Sequence, residues 1–435
     1  MKIALIGTDI PMLLPSLLAD LLFAEKEPAR IAVLESSDAM RGVLKRYAEA
    51  VIRRSGLAAS FQALADRAAV LDGADCVIYA GDVEPASRHA MDRDALGGME
   101  DGDEGLTNQA RVNGGLGGLM HTLRAGNAVL DLCGAMDAAC PDALVICLGQ
   151  PAGRMTAVFL NCGYRCFGLG ESPLRGPNGT DALLRRLGQQ PAECEADVAG
   201  VPGFGFLLGL RHEDTDLLPE ALRLAEEEEL GRLTARWLQW YGAVAVGSIP
   251  AHAELLPEQE DYQPDPRPSF GESVEQRKER IRCMNTVGQL GASSPDGAVA
   301  QGTLLLHAPS LRPVRLALAL LRKEDLDMPG VIRRNGRELP QLSPAAVIES
   351  VLRLRAGEEQ PHGWLLPEEL ADACEAIDGA ARLAAEAAAG DRTALRECIE
   401  TDPALLGLDR LYCQDVADRL IALHRDVLPR FGSDE

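Results

Sequence analysis

Few patterns restrict a fold as tightly as a short apolar strand that stops at glycine and turns into an apolar helix. The chain begins with one: Lys2, the run Ile3-Ala4-Leu5-Ile6, Gly7, then Leu13, Leu14, Leu17, Leu18 and Leu21 at helical spacing. Strand, tight turn and helix in this order open a dinucleotide-binding domain, whose glycines let a pyrophosphate sit on the bare helix N-terminus. Gly7 supplies the first glycine, but Asp9 stands at the second position. A carboxylate there caps the orphan N–H groups of its own helix. It also repels a phosphate, by roughly 4 kcal/mol for unit charges about 4 Å apart near a surface. We read Asp9 as a cap that fills the phosphate place.

The alternation continues. Residues 31–34 read as a second strand ending at Glu35. An acid at that point holds a ribose hydroxyl in such domains; the other reading is a surface acid on a loop. A helix over 40–53, a buried strand within 70–80 and a Gly- and Asp-rich loop over 97–105 follow. The glycine run Asn113-Gly114-Gly115-Leu116-Gly117-Gly118 precedes a helix carrying Met120, Leu123, Ala128, Val129 and Leu132. Further strands are expected at 142–148 and 165–169. This predicts an α/β fold with an N-terminal Rossmann-like, parallel, doubly wound sheet. The remainder carries helical patterns at 217–241, 274–290 and 366–389 and an exposed Pro- and acid-rich loop at 259–271. A mainly helical α+β C-terminal domain with a few strands is expected over the C-terminal edge of the sheet, with the division at 1–195 and 196–435.

Composition excludes several partners. A net charge of −23 repels phosphate backbones and argues against nucleic acid. No apolar run reaches the roughly 18 residues of a membrane span. Met1 leads straight into a strand, so no leader peptide is expected. The 11 cysteines are scattered, with no CxxC pair, and read as reduced thiols of a cytoplasmic protein.

Together these stretches resemble the NAD- and manganese-dependent family 4 glycoside hydrolases, nearly end to end. The likeness runs through Leu18-Ala19-Asp20-Leu21-Leu22, Leu71-Asp72-Gly73-Ala74-Asp75, the glycine run and Cys140-Pro141-Asp142-Ala143. It continues through residues 200–219 and 384–392, Asp402-Pro403 and Leu428-Pro429-Arg430-Phe431. The later spacing is most similar to the α-galactosidase-like branch. The fold implied is also that of lactate and malate dehydrogenases. The chemistry implied departs from the two-carboxylate scheme of most glycosidases. NAD⁺ oxidises the sugar's 3-hydroxyl, a tyrosine-type base removes the C2 proton, and the glycosidic oxygen leaves by elimination. A divalent metal polarises the developing enolate. The resemblance also implies a homo-oligomer, a dimer or tetramer.

Carried over residue by residue, the resemblance changes character at the site. The family's metal cysteine and its neighbouring histidine fall on Gly170 and Glu171, and the second metal histidine on Gly203. The acid before the glycine run falls on Val112, and an Asn-Pro pair that contacts sugar and nucleotide falls on Gln150-Pro151. A Ser-Glu-His-Phe-Ala-Glu-Tyr-x-Pro stretch becomes Ile249-Pro250-Ala251-His252-Ala253-Glu254-Leu255-Leu256-Pro257, keeping Glu254 and Pro257 but neither histidine nor tyrosine. Glycine offers no side-chain donor, so manganese is not expected at the family's site, and NAD is in doubt.

Replacement candidates are few. Glu171 is either a ligand, acid or base, or a rim acid without a role. His252 and Glu254 form either a shifted acid–base pair or part of a solvated loop. His121 either faces a nucleotide or packs. Arg88 is a candidate for meeting an anion. The nucleotide cradle would comprise Gly7, Asp9, Glu35, Gly115, Gly117 and Gln150. Cys162 and Cys166 read as core and Arg211-His212 as surface, and Trp237 with Tyr241, on one helical face, as core packing. Two functions remain open: a diverged NAD-linked glycosidase acting on a small sugar or glycoside, or a catalytically inactive relative serving as a binding or partner protein.

Overall fold

The computed structural model describes residues 1–8, 10–23, 29–97, 106, 109–170, 178–257 and 312–432. Ile3, Ala4 and Leu5 are buried on both faces, as a continuous apolar run in a parallel strand requires. They lie on β1 (Lys2–Gly7), followed by β2 (Ala29–Leu34), β3 (Ala59–Leu64), β4 (Cys76–Ala80), β5 (Leu144–Cys147) and β6 (Cys166–Leu169). The second half adds β7 (Cys194–Val201), β8 (Phe204–His212), β9 (Thr215–Asp216), β10 (Val244–Val246), β11 (Leu326–Arg334), β12 (Val347–Arg355) and β13 (Glu358–Glu359).

All belong to one sheet, ordered β10-β8-β7-β12-β11-β6-β5-β4-β1-β2-β3, with β13 beside β12 and β9 beside β8. The block β3-β2-β1-β4-β5-β6 is parallel throughout and has the strand order of dinucleotide-binding sheets. β11 then pairs antiparallel with β6, and β12 pairs antiparallel with both β11 and β7. The second half therefore brings helices and also extends the same sheet. Strand β3 has only one fully buried residue, Phe61, between exposed Ser60 and Gln62, so its pattern in the sequence is faint. It is an edge strand, which needs little apolar surface.

Helix ends follow local chemistry. The helix expected at 40–53 runs Asp38–Ser55, because Ser37 Oγ accepts from the Met40 amide and Gly56 closes it at φ 67°. The pattern at 217–241 is two helices, Leu218–Glu226 and Arg232–Tyr241, broken where Glu228 and Gly231 take positive φ. The pattern at 366–389 is the helix Glu368–Ala387. The loop expected at 97–105, beyond Gly97, and the stretches 259–271 and 274–290 lie outside the described residues. Among the described residues, no helix is long and apolar enough to cross a membrane.

The helix Gly115–Ala139 joins the two halves. Its Gly126 lies against Ala388, where an added Cβ would come within 2.6 Å of the Ala388 Cβ. Asn127 Nδ2 donates to the Ala388 carbonyl at 2.9 Å. One turn earlier Arg124 clamps the carboxylate of Asp92 at 3.1 and 2.8 Å, and His424 Nε2 lies 2.6 Å from Asp92 Oδ1. All three side chains are buried, which makes the carboxylate costly to remove. Asp92→Ala is expected to lower stability by about 3–5 kcal/mol in urea unfolding. A loss below about 1 kcal/mol would mean that solvent substitutes for the carboxylate.

Candidate functional site

The C-terminal ends of β1, β4 and β5 meet around a strand-order reversal between β1 and β4, the usual place for a ligand in open α/β sheets. This edge is kept bare. A side chain on Gly7 would overlap the Ala80 carbonyl. One on Gly149 would come within 2.5 Å of the Tyr79 ring and 3.0 Å of the Gly81 carbonyl. Tyr79 itself is buried edge-on against Phe159, ring centroids 5.5 Å apart, and burial holds its phenol well above the usual range. Glu35 follows β2, partly exposed, with Oε1 accepting from the Ser37 amide at 2.8 Å. Gln150 precedes the helix Ala152–Asn161 through a cis bond to Pro151. Asp9 and Glu171 lie outside the described residues.

The glycine run has an internal reason to be glycine. Gly115 takes φ 61°, and a side chain there would overlap Gln109. One on Gly117 would overlap the Arg111 backbone. These positions are packed against their own loop. Glu254 secures the same loop. Its Oε2 accepts from the Val112 and Asn113 amides at 3.2 and 3.0 Å and from Asn113 Nδ2 at 2.8 Å. Desolvation nevertheless raises its pKa.

His252 is fully buried. Nδ1 lies 2.9 Å from the Ser248 carbonyl and Nε2 3.0 Å from that of Gly205, while its ring stacks on Trp237 at 5.5 Å. Burial lowers its pKa, the two carbonyls opposing. The shifted acid–base pair is therefore corrected: His252 supports an aromatic core with Trp237 and Tyr241, and Glu254 ties down a loop. For His252 the solvated-loop alternative does not hold either, since its side chain is fully buried, whereas Glu254 is partly exposed.

Arg88 is likewise engaged, forking onto Asp426 at 2.8 and 2.5 Å and reaching Glu84 at 3.1 Å. His121 Nε2 sits 3.1 Å from Asp82 Oδ2, just beyond the end of β4, so it packs near the edge with a carboxylate partner. Cys166 is buried on β6, whereas Cys162 is only partly buried. Arg211 pairs with Glu195 at the surface.

A residue missed in the sequence lies at the other end of this edge. Glu349, on β12, is 1% exposed. Its Oε2 accepts from the Gly203 amide at 3.2 Å, and its Oε1 has no hydrogen-bond partner among the described residues. An added Cβ on Gly170 would come within 2.5 Å of that Oε1. Thus a carboxyl lies between Gly170 and Gly203. Burial pushes its pKa up to about 7, the Gly203 amide pulling the other way. A lone Glu in the apolar-rich strand Val347–Arg355 was the available signal, but no spacing ties it to Gly203, 146 positions upstream, or to the still more distant Gly170. Among the described residues, no three His, Cys, Asp or Glu side chains gather as a metal cage.

Residues 2–175 match the model of the family 4 glycosyl hydrolases. Over that stretch the chain is similar to that family. A curated alpha-galactosidase of Bacillus subtilis (strain 168) is 29% identical over 116 residues, 26% of this chain and 26% of that protein. The match thus spans about a quarter of the curated relative's length. A 6-phospho-alpha-glucosidase from gut microorganisms, in complex with NAD and glucose-6-phosphate, superposes with a TM-score of 0.72 at 14% identity, covering 98% of each chain. The 6-phospho-beta glucosidase of Thermotoga maritima, with manganese, NAD⁺ and glucose-6-phosphate, gives 0.69 at 15% identity, covering 98% of this chain and 99% of its own. The Rossmann-like first half and the mixed second half are therefore the family 4 fold over nearly the whole chain.

The raised pKa of Glu349 has a consequence for stability. Between the ordinary carboxyl value of 4.5 and about 7 the folded chain keeps this proton and the unfolded chain loses it. Its contribution therefore falls as pH rises through that window, by about 3 kcal/mol in all. Glu349→Gln cannot ionise, so its stability relative to wild type is expected to rise by that amount across the window. Urea unfolding at stepped pH measures it, and a pH-independent difference would refute the assignment.

Proposed function

We propose that the chain acts on a small sugar or glycoside with NAD at the C-terminal edge of β1 to β6, in the manner of a diverged family 4 glycosidase. The carrying observation is the reversal between β1 and β4, flanked by Gly7, Gly81 and Gly149, with Glu35 just past β2. These residues fit a dinucleotide: the glycines let backbone approach it, and Glu35 would accept from a ribose hydroxyl. Bound there, NAD would supply hydride acceptance from a secondary alcohol. The bound NAD and glucose-6-phosphate of the related 6-phospho-alpha-glucosidase support the same reading. On this reading residues 1–195 serve the nucleotide and 196–435 the substrate and a homo-oligomer contact.

Manganese does not fit the described residues. Gly170 and Gly203 carry no donor side chain, and Glu349 alone is no cage. A second reading, a non-catalytic partner protein, is favoured by the internal engagement of His252, Glu254 and Arg88.

Calorimetric titration with NAD⁺ and NADH separates the two. Micromolar binding, weakened about tenfold by Glu35→Ala through loss of one or two hydrogen bonds, is expected. No binding at millimolar nucleotide would overturn the enzyme reading and leave the partner reading.

A further inference from the structure

Glu349 is an expensive residue to place where it is. A buried carboxyl with one unpartnered oxygen costs more than an apolar side chain of the same volume, so something other than packing keeps it. Its setting is built for it. Across the sheet, Gly168, Ile332, Glu349 and Gly200 stand opposite one another in register on β6, β11, β12 and β7. Glycines occupy both ends of this row. Gly203, whose amide meets Oε2, and Gly170, beside Oε1, are also glycines and are partly exposed. The carboxyl therefore lies one glycine deep below an accessible surface. A methyl group at position 170 would close the approach to Oε1.

We propose that at this edge Glu349 contacts the sugar: with Oε2 fixed on the Gly203 amide and Oε1 directed at position 170, its carboxyl is the group that meets a sugar hydroxyl. The proposal rests on the sugar-site reading above. A side chain at 170 would compete for space with Oε1 in its present position, an added Cβ coming within 2.5 Å of it. A carboxyl offers a sugar hydroxyl a directional hydrogen bond, and burial strengthens it.

The test uses the full chain and the variant Glu349→Met, which keeps the volume and removes the polar atoms. Mn²⁺ binding is followed by the paramagnetic resonance signal of the free ion. Binding of methyl α- and β-glucosides and galactosides is followed by saturation-transfer NMR. Expected are a free-ion signal in wild type at millimolar Mn²⁺, and glycoside affinity at least tenfold weaker in Glu349→Met. Gly170→Ala, made from the other side of the contact, is expected to show the same loss should the Met variant not fold. Saturable Mn²⁺ binding in wild type that disappears in Glu349→Met would overturn the proposal, making Glu349 a metal ligand. Equal glycoside affinity in wild type and variants would overturn it while leaving the sugar reading intact. No glycoside binding by wild type would instead defeat the sugar reading, and this proposal with it.

Discussion

The backbone seam between β6 and β11 governs the rest of the molecule. At Leu169 opposite Val331 and Gly168 opposite Ile332, a parallel sheet hands over to an antiparallel one. A parallel sheet is ordinarily buried by helices on both faces, and its last strand presents unpaired amides and carbonyls. Here that edge is taken by a hairpin, β11 and β12, from far along the chain. Because β12 then pairs with β7, the end of β6, the start of β8 and the middle of β12 converge, and Gly170, Gly203 and Glu349 meet.

Carboxylates are handled in two ways in this chain, and the difference separates structure from candidate chemistry. Asp92 and Glu254 each have several donors: Arg124 and His424 for the first, two amides and an amide side chain for the second. Such groups hold helices and loops in place. Glu349 has one amide on one oxygen. Donors lower a buried carboxyl's pKa and desolvation raises it, and Glu349, with a single amide donor, is pushed up to about 7. That is the usual condition of a group kept for a ligand.

Much of the fold was legible because its signals are local. The apolar runs of β1, β4 and β5, the stop at Gly7 and the caps at Ser37 and Gly56 each sit within a few residues of what they determine. β3 was not, since an edge strand needs little apolar pattern. The site was legible only in part. Gly170 and Gly203 stand out in the sequence, but the carboxyl between them comes from a strand whose register no local pattern reports. His252 and Glu254 misled for a related reason. Their spacing suggested a pair, whereas burial gave one to an aromatic cluster and the other to a loop.

The insertion of β11 and β12 between β6 and β7 bears on how the protein is made. β6 and β7 are near neighbours in sequence, yet the two strands that separate them span residues 326–355. A ribosome adding about 5–20 residues per second thus leaves both edges without their final partners for several seconds. During that interval the parallel half already has all its strands, while the surroundings of Glu349 still lack β11 and β12. Sites assembled from such distant pairings form late and slowly. The polar end of the cleft therefore forms after the crevice of the parallel half, and a product truncated before β11 would carry that crevice with an open sheet edge beside it.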